Sequence, residues 1–263
     1  YALVIQDFHT GDPIDLLRSR RKDVTEPYFA NLPAEEKNSV KYLISDMYNQ
    51  YINYVDKYFP NAVPVVDSFH VIQWILHLID NYIRQLLKRF RQRDKERQDQ
   101  LSYEEQRPVS LPPSDEVYLL QKYRWLILSN QSNIKYHSDP RMDSHFHCLM
   151  NTYDYEDALF RIDPKLKDFR DLKEKYILFN SRNAGKPIEA RTELDELIPE
   201  YLASEYEIFS EFGTLLEKYK DYIINSFIMV EKHGHGKVYD SRLSNGPMES
   251  INRKAKDLKR SGR

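Results

Sequence analysis

The stretch covering residues 41–71 constrains the fold more than any other part of this sequence. It holds a short apolar run ending at Asp46, an amphipathic tyrosine-rich segment over about 47–58, a Pro-Asn turn, and a second short apolar run ending at Asp67. This order predicts strand, helix, strand, with an acid directly after each strand. Open α/β sheets bind ligands and metals at such strand ends, because the strand fixes the backbone while the carboxylate projects past the sheet.

The rest of the chain extends this pattern and then changes character. Residues 1–6 and 14–17 read as strands of a hairpin, followed by a helix from about 24 and a strand over 38–45. Apolar residues spaced by threes and fours then predict a long amphipathic helix over about 71–100. Further helices are predicted over 115–128, 153–160, 166–180 and 188–228, and no strand signal stands out between 71 and 225. We therefore expect an α/β segment with a helical block inserted, with Trp74 and Trp125 in the helical core.

Composition excludes several classes of protein. The net charge is −2 and there is one cysteine, Cys148, which excludes an internal disulfide framework and a cysteine-rich zinc site. No apolar run approaches 18 residues and no signal-like segment is present, so we expect a cytoplasmic protein with no membrane partner. Tyr1 opens directly into an apolar run, from which we expect a fragment of a longer protein.

The C-terminal segment concentrates positive charge behind one acid. Ser244-Asn245-Gly246-Pro247 predicts a helix start, since proline suits the first helical position, and Glu249 follows in the first turn. Between residues 252 and 263 there are six Lys or Arg residues against one acid, Asp257. Arg253, Lys256 and Arg260 share a helix face with Glu249.

Each acid is ambiguous when taken alone. Asp46 and Asp67 could be helix N-caps, and His70 could be a structural histidine. Glu249 could simply stabilise its helix by interacting with the helix dipole. Together they can supply the oxygen ligands that hold two Mg²⁺ ions about 3.5–4 Å apart for phosphoryl transfer. The basic ridge beside Glu249 would neutralise the phosphates of the same substrate.

Other clusters of polar side chains are weaker candidates. His145, His147 and Cys148, with His137 nearby, suggest zinc, but their spacing fits no common structural zinc site. His233 and His235 read as part of a flexible loop. The charged run over 88–97 reads as a solvated helix, although such a helix could also lie along DNA.

Two blocks of this sequence resemble a known family. The runs VKYLISDMYNQYINYVDKYFPNAVPVVDSFHVIQ and LSNGPMESINRKAKDLKRSGR are similar to the transposases of ISL3-type bacterial insertion sequences, which resemble the wider group of DDE transposases. The resemblance implies an RNase H-like mixed sheet, truncated at its N-terminus and interrupted by a large all-helical insertion domain. The expected domains are 1–72 and 236–263 for the catalytic core and 73–235 for the insertion.

The resemblance also implies roles for individual residues. Asp46 matches the second catalytic aspartate and Glu249 the catalytic glutamate, both ligands of Mg²⁺ or Mn²⁺, while Asp67 and His70 match a supporting D-x-x-H motif. The residues expected to contact DNA phosphates are Arg253, Lys254, Lys256, Lys259 and Arg260. The first catalytic aspartate of the family lies on a strand expected before residue 1, and Asp7 is the only nearby substitute.

The implied activity is DNA transposition in the bacterial cytoplasm. It consists of metal-dependent cleavage at the inverted-repeat ends by water, then strand transfer to target DNA by a 3′-hydroxyl, with a homodimer in the DNA complex. The fragment itself is expected to be inactive. Two alternatives stay open: an RNase H-like nuclease without strand transfer, and a non-catalytic DNA-binding protein derived from a transposase.

Overall fold

The structure is a computed structural model that describes residues 2–234 and 236–246. The chain divides into two compact units. Unit 1 combines residues 1–73 with 179–263, and unit 2 spans 74–178. His235, Glu249 and all five predicted DNA-contacting cations (Arg253, Lys254, Lys256, Lys259 and Arg260) lie outside the described residues.

Unit 1 opens with the predicted hairpin. Strands β1 (Leu3–Gln6) and β2 (Pro13–Leu17) pair antiparallel, and Gly11 adopts φ +77° in the turn between them. Helices α1 (Lys22–Asn31) and α2 (Ala34–Ser39) follow. The predicted strand over 38–45 is therefore wrong at its start, because α2 extends to Ser39.

The strand–helix–strand prediction for the central stretch is confirmed. Strand β3 (Tyr42–Ser45), helix α3 (Asn49–Tyr58) and strand β4 (Val63–Val66) follow in order, and the two strands pair in parallel. A buried aromatic cluster of Phe29, Tyr54 and Phe59 packs this segment together. Apolar side chains of β1 and β3, among others, pack against the cluster, so both strands share one small core.

The second part of unit 1 contains helices α9 (Pro187–Leu202) and α10 (Glu207–Asn225) and the antiparallel strands β7 (Met229–Gly234) and β8 (Lys237–Arg242). The single helix predicted over 188–228 is wrong, because the chain turns after Leu202. At Gly213 a Cβ atom would lie 2.9 Å from the backbone nitrogen of Leu202, so glycine permits the two helices to approach closely there. Helix α10 also packs against β4.

Unit 2 is mostly helical. Its elements are α4 (Ser68–Glu104, which begins in unit 1), α5 (Asp115–Lys122), α6 (Trp125–Leu128), a 3₁₀ turn (Gln131–Asn133), β5 (Arg141–Asp143), β6 (Cys148–Met150), α7 (Thr152–Ile162) and α8 (Lys165–Arg182, which ends in unit 1). The long amphipathic helix is confirmed: Ile75, Ile79 and Ile83 on α4 are buried.

Three predictions for unit 2 are wrong. The β5–β6 hairpin lies in a region where no strand was expected, and the helix predicted over 115–128 is split between α5 and α6. Trp74 and Trp125 are 40% and 43% exposed, so neither is a core residue.

Across the described part of the chain, each of the four sheets holds two strands. The domain boundaries at 72/73 and 235/236 stay predictions, and in the structure α9 and α10 belong to unit 1.

Candidate active site

Two acids meet at one edge of the β3–β4 pair. The strands are parallel and in register, with Ser45 opposite Val66, so Asp46 and Asp67 follow the carboxyl ends of neighbouring strands. The backbone N–H of Asp67 donates to the carbonyl of Ser45 (3.2 Å), which extends the ladder by one residue. The predicted position of both acids at strand ends is confirmed.

His70 reaches Asp46 from the first turn of α4. The carboxylate of Asp67 accepts from the backbone N–H of Phe69 (3.2 Å), and the backbone N–H of His70 donates to the carbonyl of Asp67 (3.1 Å). These bonds fix the turn that starts the helix. Nε2 of His70 then lies 2.7 Å from Oδ1 of Asp46. Asp67 thereby positions the histidine that contacts the other acid.

A third side chain arrives from the distant end of the chain. Nδ2 of Asn245 donates to Oδ1 of Asp46 (3.3 Å) across 199 positions of sequence. Arg242, at the end of β8, anchors this segment: its guanidinium donates to the carbonyl (2.8 Å) and hydroxyl (2.8 Å) of Ser226 and to the carbonyl of Asn180 (2.9 Å). The segment that leads to Glu249 is therefore held beside Asp46, although Glu249 itself lies outside the described residues.

Helix α10 holds the loop that follows β3. The hydroxyl of Tyr219 donates to Oδ1 of Asn49 (2.7 Å) and to the carbonyl of Met47 (3.3 Å). Nδ2 of Asn225 donates to the carbonyl of Pro64 in β4 (2.9 Å). Through these hydrogen bonds α10 stabilises the β3–β4 pair, whose strands precede Asp46 and Asp67.

Sequence reasoning did not assign a site role to Asn245, Arg242, Tyr219 or Asn225. Asn245 stands four residues before Glu249 in the LSNGPMES run, so the motif contained a signal for it. The other three act through hydrogen bonds between positions 16 to 172 residues apart, which no local pattern encodes.

The two acids have opposite electrostatic surroundings. The hydrogen bond from His70 lowers the pKa of Asp46; burial opposes that shift, while Asn245 and the nearby charge of Arg20 reinforce it. Burial raises the pKa of Asp67, which is 1% exposed, and the backbone N–H of Phe69 only partly offsets it. Asp46 is thus held ionised at a half-exposed position, whereas Asp67 is shielded.

Asp46 is the acid suited to a ligand. Its side chain is 43% exposed, and Oδ2 accepts no hydrogen bond from the residues that the structure describes. An ionised carboxylate oxygen of this kind is a ligand for hard divalent cations. Within residues 2–234 and 236–246, no group of three or more His, Cys, Asp or Glu side chains could hold a metal ion.

Other sequence candidates have different surroundings. The carboxylate of Asp7 accepts from the backbone N–H of Thr10 (2.8 Å) and shapes the β1–β2 turn. His233 lies in β7 rather than in a loop, and its backbone N–H donates to the carbonyl of His9 (2.7 Å). Nε2 of His145 lies 2.8 Å from Oδ1 of Asp115. None of these contacts involves Asp46.

A second aspartate centre lies in unit 2, around buried Asp143. Oδ2 of Asp143 accepts from the hydroxyls of Tyr118 (2.6 Å), Tyr155 (2.8 Å) and Tyr123 (3.5 Å). Oδ1 accepts from the backbone N–H groups of residues 145 (2.8 Å) and 146 (3.1 Å). Burial alone would raise the pKa of Asp143, but these hydrogen bonds outweigh it and hold the pKa well below its usual range. Both oxygens are saturated.

The fold and the site define an α/β protein with an ionised, ligand-accessible carboxylate at the edge of a parallel strand pair. A family model described as a transposase, of the ISL3 group of DDE transposases, matches residues 1–263. The chain therefore belongs to the ISL3 transposase family, and DNA is the partner that this family implies. No curated protein and no solved structure matches the chain. Among the described helices, none has the length and apolar character needed to span a membrane.

Proposed function

We propose that this chain is the catalytic core of a DDE transposase, which cleaves DNA at insertion-sequence ends and transfers the cut strand to target DNA. The observation that carries the proposal is the hydrogen bond from Asn245 to Asp46. Asn245 stands four residues before Glu249, so this contact supports a position of Glu249 near the acid at the end of β3. Asp46 and Glu249 are the proposed pair of catalytic carboxylates.

The proposed fold is an RNase H-like core interrupted by the helical insertion over 73–235. Unit 1 supplies an antiparallel pair, β1–β2, and a parallel pair, β3–β4. Ile5 of β1 and Leu43 of β3 pack against the same aromatic cluster, which supports one layer built from both pairs. Helix α10 lies within the range proposed for the insertion, but it belongs to unit 1 and packs against β4.

The chemistry is phosphoryl transfer. In cleavage, the oxygen of water attacks phosphorus, the P–O3′ bond breaks, and a 3′-hydroxyl is released; in strand transfer, that 3′-hydroxyl attacks a target phosphodiester and displaces its O3′. Mg²⁺ or Mn²⁺, when bound, supplies Lewis acidity at the phosphate oxygens. Asp46 and Glu249 would hold it, because carboxylate oxygens are the ligands that hard cations take, and Oδ2 of Asp46 accepts no hydrogen bond from the described residues.

The other residues position this carboxylate. His70 and Asn245 both occupy Oδ1 of Asp46, which orients the carboxylate and leaves Oδ2 for a ligand. Asp67 fixes the turn that carries His70. Arg253, Lys254, Lys256, Lys259 and Arg260 are the proposed contacts to DNA phosphates, in a homodimer that joins two ends to one target.

The test is cleavage of end-containing DNA in Mg²⁺ by protein that carries Asp46→Asn or Glu249→Gln. Each change removes a carboxylate charge at nearly constant volume, so we expect a loss of at least about 10³-fold in the cleavage rate. Asp56→Asn and Glu217→Gln, both exposed acids on helices of unit 1, are the matched controls and should retain activity. Cleavage that survives either site variant contradicts the assignment; cleavage without strand transfer favours the nuclease, and binding without cleavage favours the non-catalytic protein.

A further inference from the structure

A row of positive side chains runs along one face of α4 within unit 2. Arg84, Lys88, Arg91 and Lys95 are exposed and follow one another at spacings of four, three and four residues, which places them on a single helix face. Arg124, at the start of α6, lines the same open groove, whose floor includes the buried Leu87. Two helices therefore contribute cations to one surface, which we name the α4 basic row.

Three of these five cations have no counter-ion among the residues that the structure describes. Asp80 contacts Nε of Arg84 (2.7 Å) and Nε of Arg124 (3.4 Å) and so fixes the two guanidinium groups at one end of the row. Lys88, Arg91 and Lys95 form no ion pair with any residue that the structure describes. By contrast, Arg93 on the opposite face pairs with Glu116 (2.9 Å).

The spacing within the row opposes the stability of the helix itself. Arg84 with Lys88, and Arg91 with Lys95, are like-charge pairs at i and i+4, each of which costs an isolated helix about 0.2–0.5 kcal/mol. A merely solvated helix usually alternates charges of opposite sign along a face. Concentrated cations, three of them without an ion pair in the described part of the chain, instead match an external polyanion.

We propose that the α4 basic row binds the sugar-phosphate backbone of duplex DNA. The row covers 11 residue steps, about 16 Å along the helix, over which one strand of B-DNA carries about five phosphates. The match in length and sign favours a strand of phosphates over a compact anion. The proposal rests on DNA being the substrate, as family membership implies, and does not depend on the catalytic roles of Asp46 and Glu249.

The test compares two double variants of the same helix in the whole chain. Lys88→Gln/Arg91→Gln removes two cations from the row, and Arg89→Gln/Arg97→Gln removes two from the opposite face. Binding to a fluorescent 30-base-pair duplex is measured by anisotropy without divalent metal, across a series of KCl concentrations. We expect the row variant to bind about tenfold more weakly and to lower the slope of log K against log salt by about 2. The opposite-face variant should keep the wild-type slope.

A conservative variant separates charge from structure. Lys88→Arg/Arg91→Lys keeps both cations and should bind as the wild type does, with the thermal melts of all variants coinciding. Equal losses for the two Gln variants, a loss in the conservative variant, or wild-type binding to vesicles with anionic lipid but not to DNA would overturn the proposal. The binding assay contains no divalent metal, so its outcome does not depend on catalysis. Failure of the catalytic assignment would appear in the separate cleavage assay, as activity that survives Asp46→Asn.

Discussion

Asp46 in unit 1 and Asp143 in unit 2 are both aspartates whose pKa the fold lowers, but they are built in different ways. Asp143 receives five hydrogen bonds, all from residues within 25 positions, and both of its oxygens are saturated. Asp46 is contacted by His70 and by Asn245, 199 positions away, and both contacts fall on one oxygen. A lowered pKa is common to a ligand site and to a structural hub, by which we mean Asp143 with the five groups that donate to it. What separates the two is Oδ2 of Asp46, which accepts no hydrogen bond from the described residues.

The largest expected difference is in stability. Asp143→Ala removes the acceptor of three tyrosine hydroxyls and two backbone N–H groups, so we expect the free energy of unfolding to fall by about 3 kcal/mol. Asp46→Ala, at a half-exposed position, should cost less than about 1 kcal/mol. Urea denaturation followed by circular dichroism measures both, with exposed Asp139→Ala as the control from the same segment. A greater cost at Asp46 than at Asp143 would reverse the comparison.

The contribution of Asp143 to the free energy of unfolding should be lost in acid. The folded pKa of Asp143 lies well below its unfolded value, so its contribution is complete above about pH 5 and is lost as the pH falls through the folded pKa. Between pH 5 and 2.5 the wild type should lose about 2 kcal/mol more stability than Asp143→Asn, which has no proton to bind. Urea midpoints measured across this range test the sign. Parallel curves for the two proteins would show that Asp143 is not held ionised.

Asn245→Ala should have a moderate effect on activity. It removes one of the two donors that orient Asp46, and a hydrogen bond to a charged group corresponds to roughly tenfold in the cleavage rate. Asn245→Asp should lose more, because it places a like charge beside Asp46. Asn53→Ala, at an exposed position of α3, is the control. Equal activity of Asn245→Ala and the control would remove Asn245 from the site.

The smallest expected effect is that of one tyrosine hydroxyl in the hub. Tyr155→Phe removes one of five donors to Asp143 and should lower the free energy of unfolding by about 1 kcal/mol, without changing DNA cleavage. The same urea titration measures this change. A loss as large as that of Asp143→Ala would mean that the hub depends on this single hydroxyl.

Sequence reasoning identified the local part of the candidate site. Asp46 and Asp67 follow short apolar runs, and strand pairing in register places them together as predicted. Asp143 was missed because its partners come from two helices, the residue that follows α5 and a hairpin, and the strands of that hairpin are three residues long. In a strand of three residues, the alternation of apolar and polar side chains is too short to indicate a strand.

The division of the 188–228 region was missed for a similar reason. No glycine or proline marks the turn between α9 and α10, where Tyr206 N–H donates to the hydroxyl of Ser204 (3.2 Å). The signal lies later, at Gly213, where the absent Cβ lets α10 pack against Leu202. Gly213 indicates a close approach of two helices, and the spacing of apolar residues along one helix does not show which other helix it contacts.

The most direct test of the central claim exchanges the proposed ligand atom at Asp46. A thiolate binds Mn²⁺ far better than it binds Mg²⁺, since sulfur is a soft ligand. We therefore predict that Asp46→Cys loses DNA cleavage in Mg²⁺ and regains a measurable part of it in Mn²⁺, whereas Asp67→Cys shows no such selective recovery. The same activity for Asp46→Cys in both metals, relative to the wild type in each, would contradict the role of Asp46 as a metal ligand.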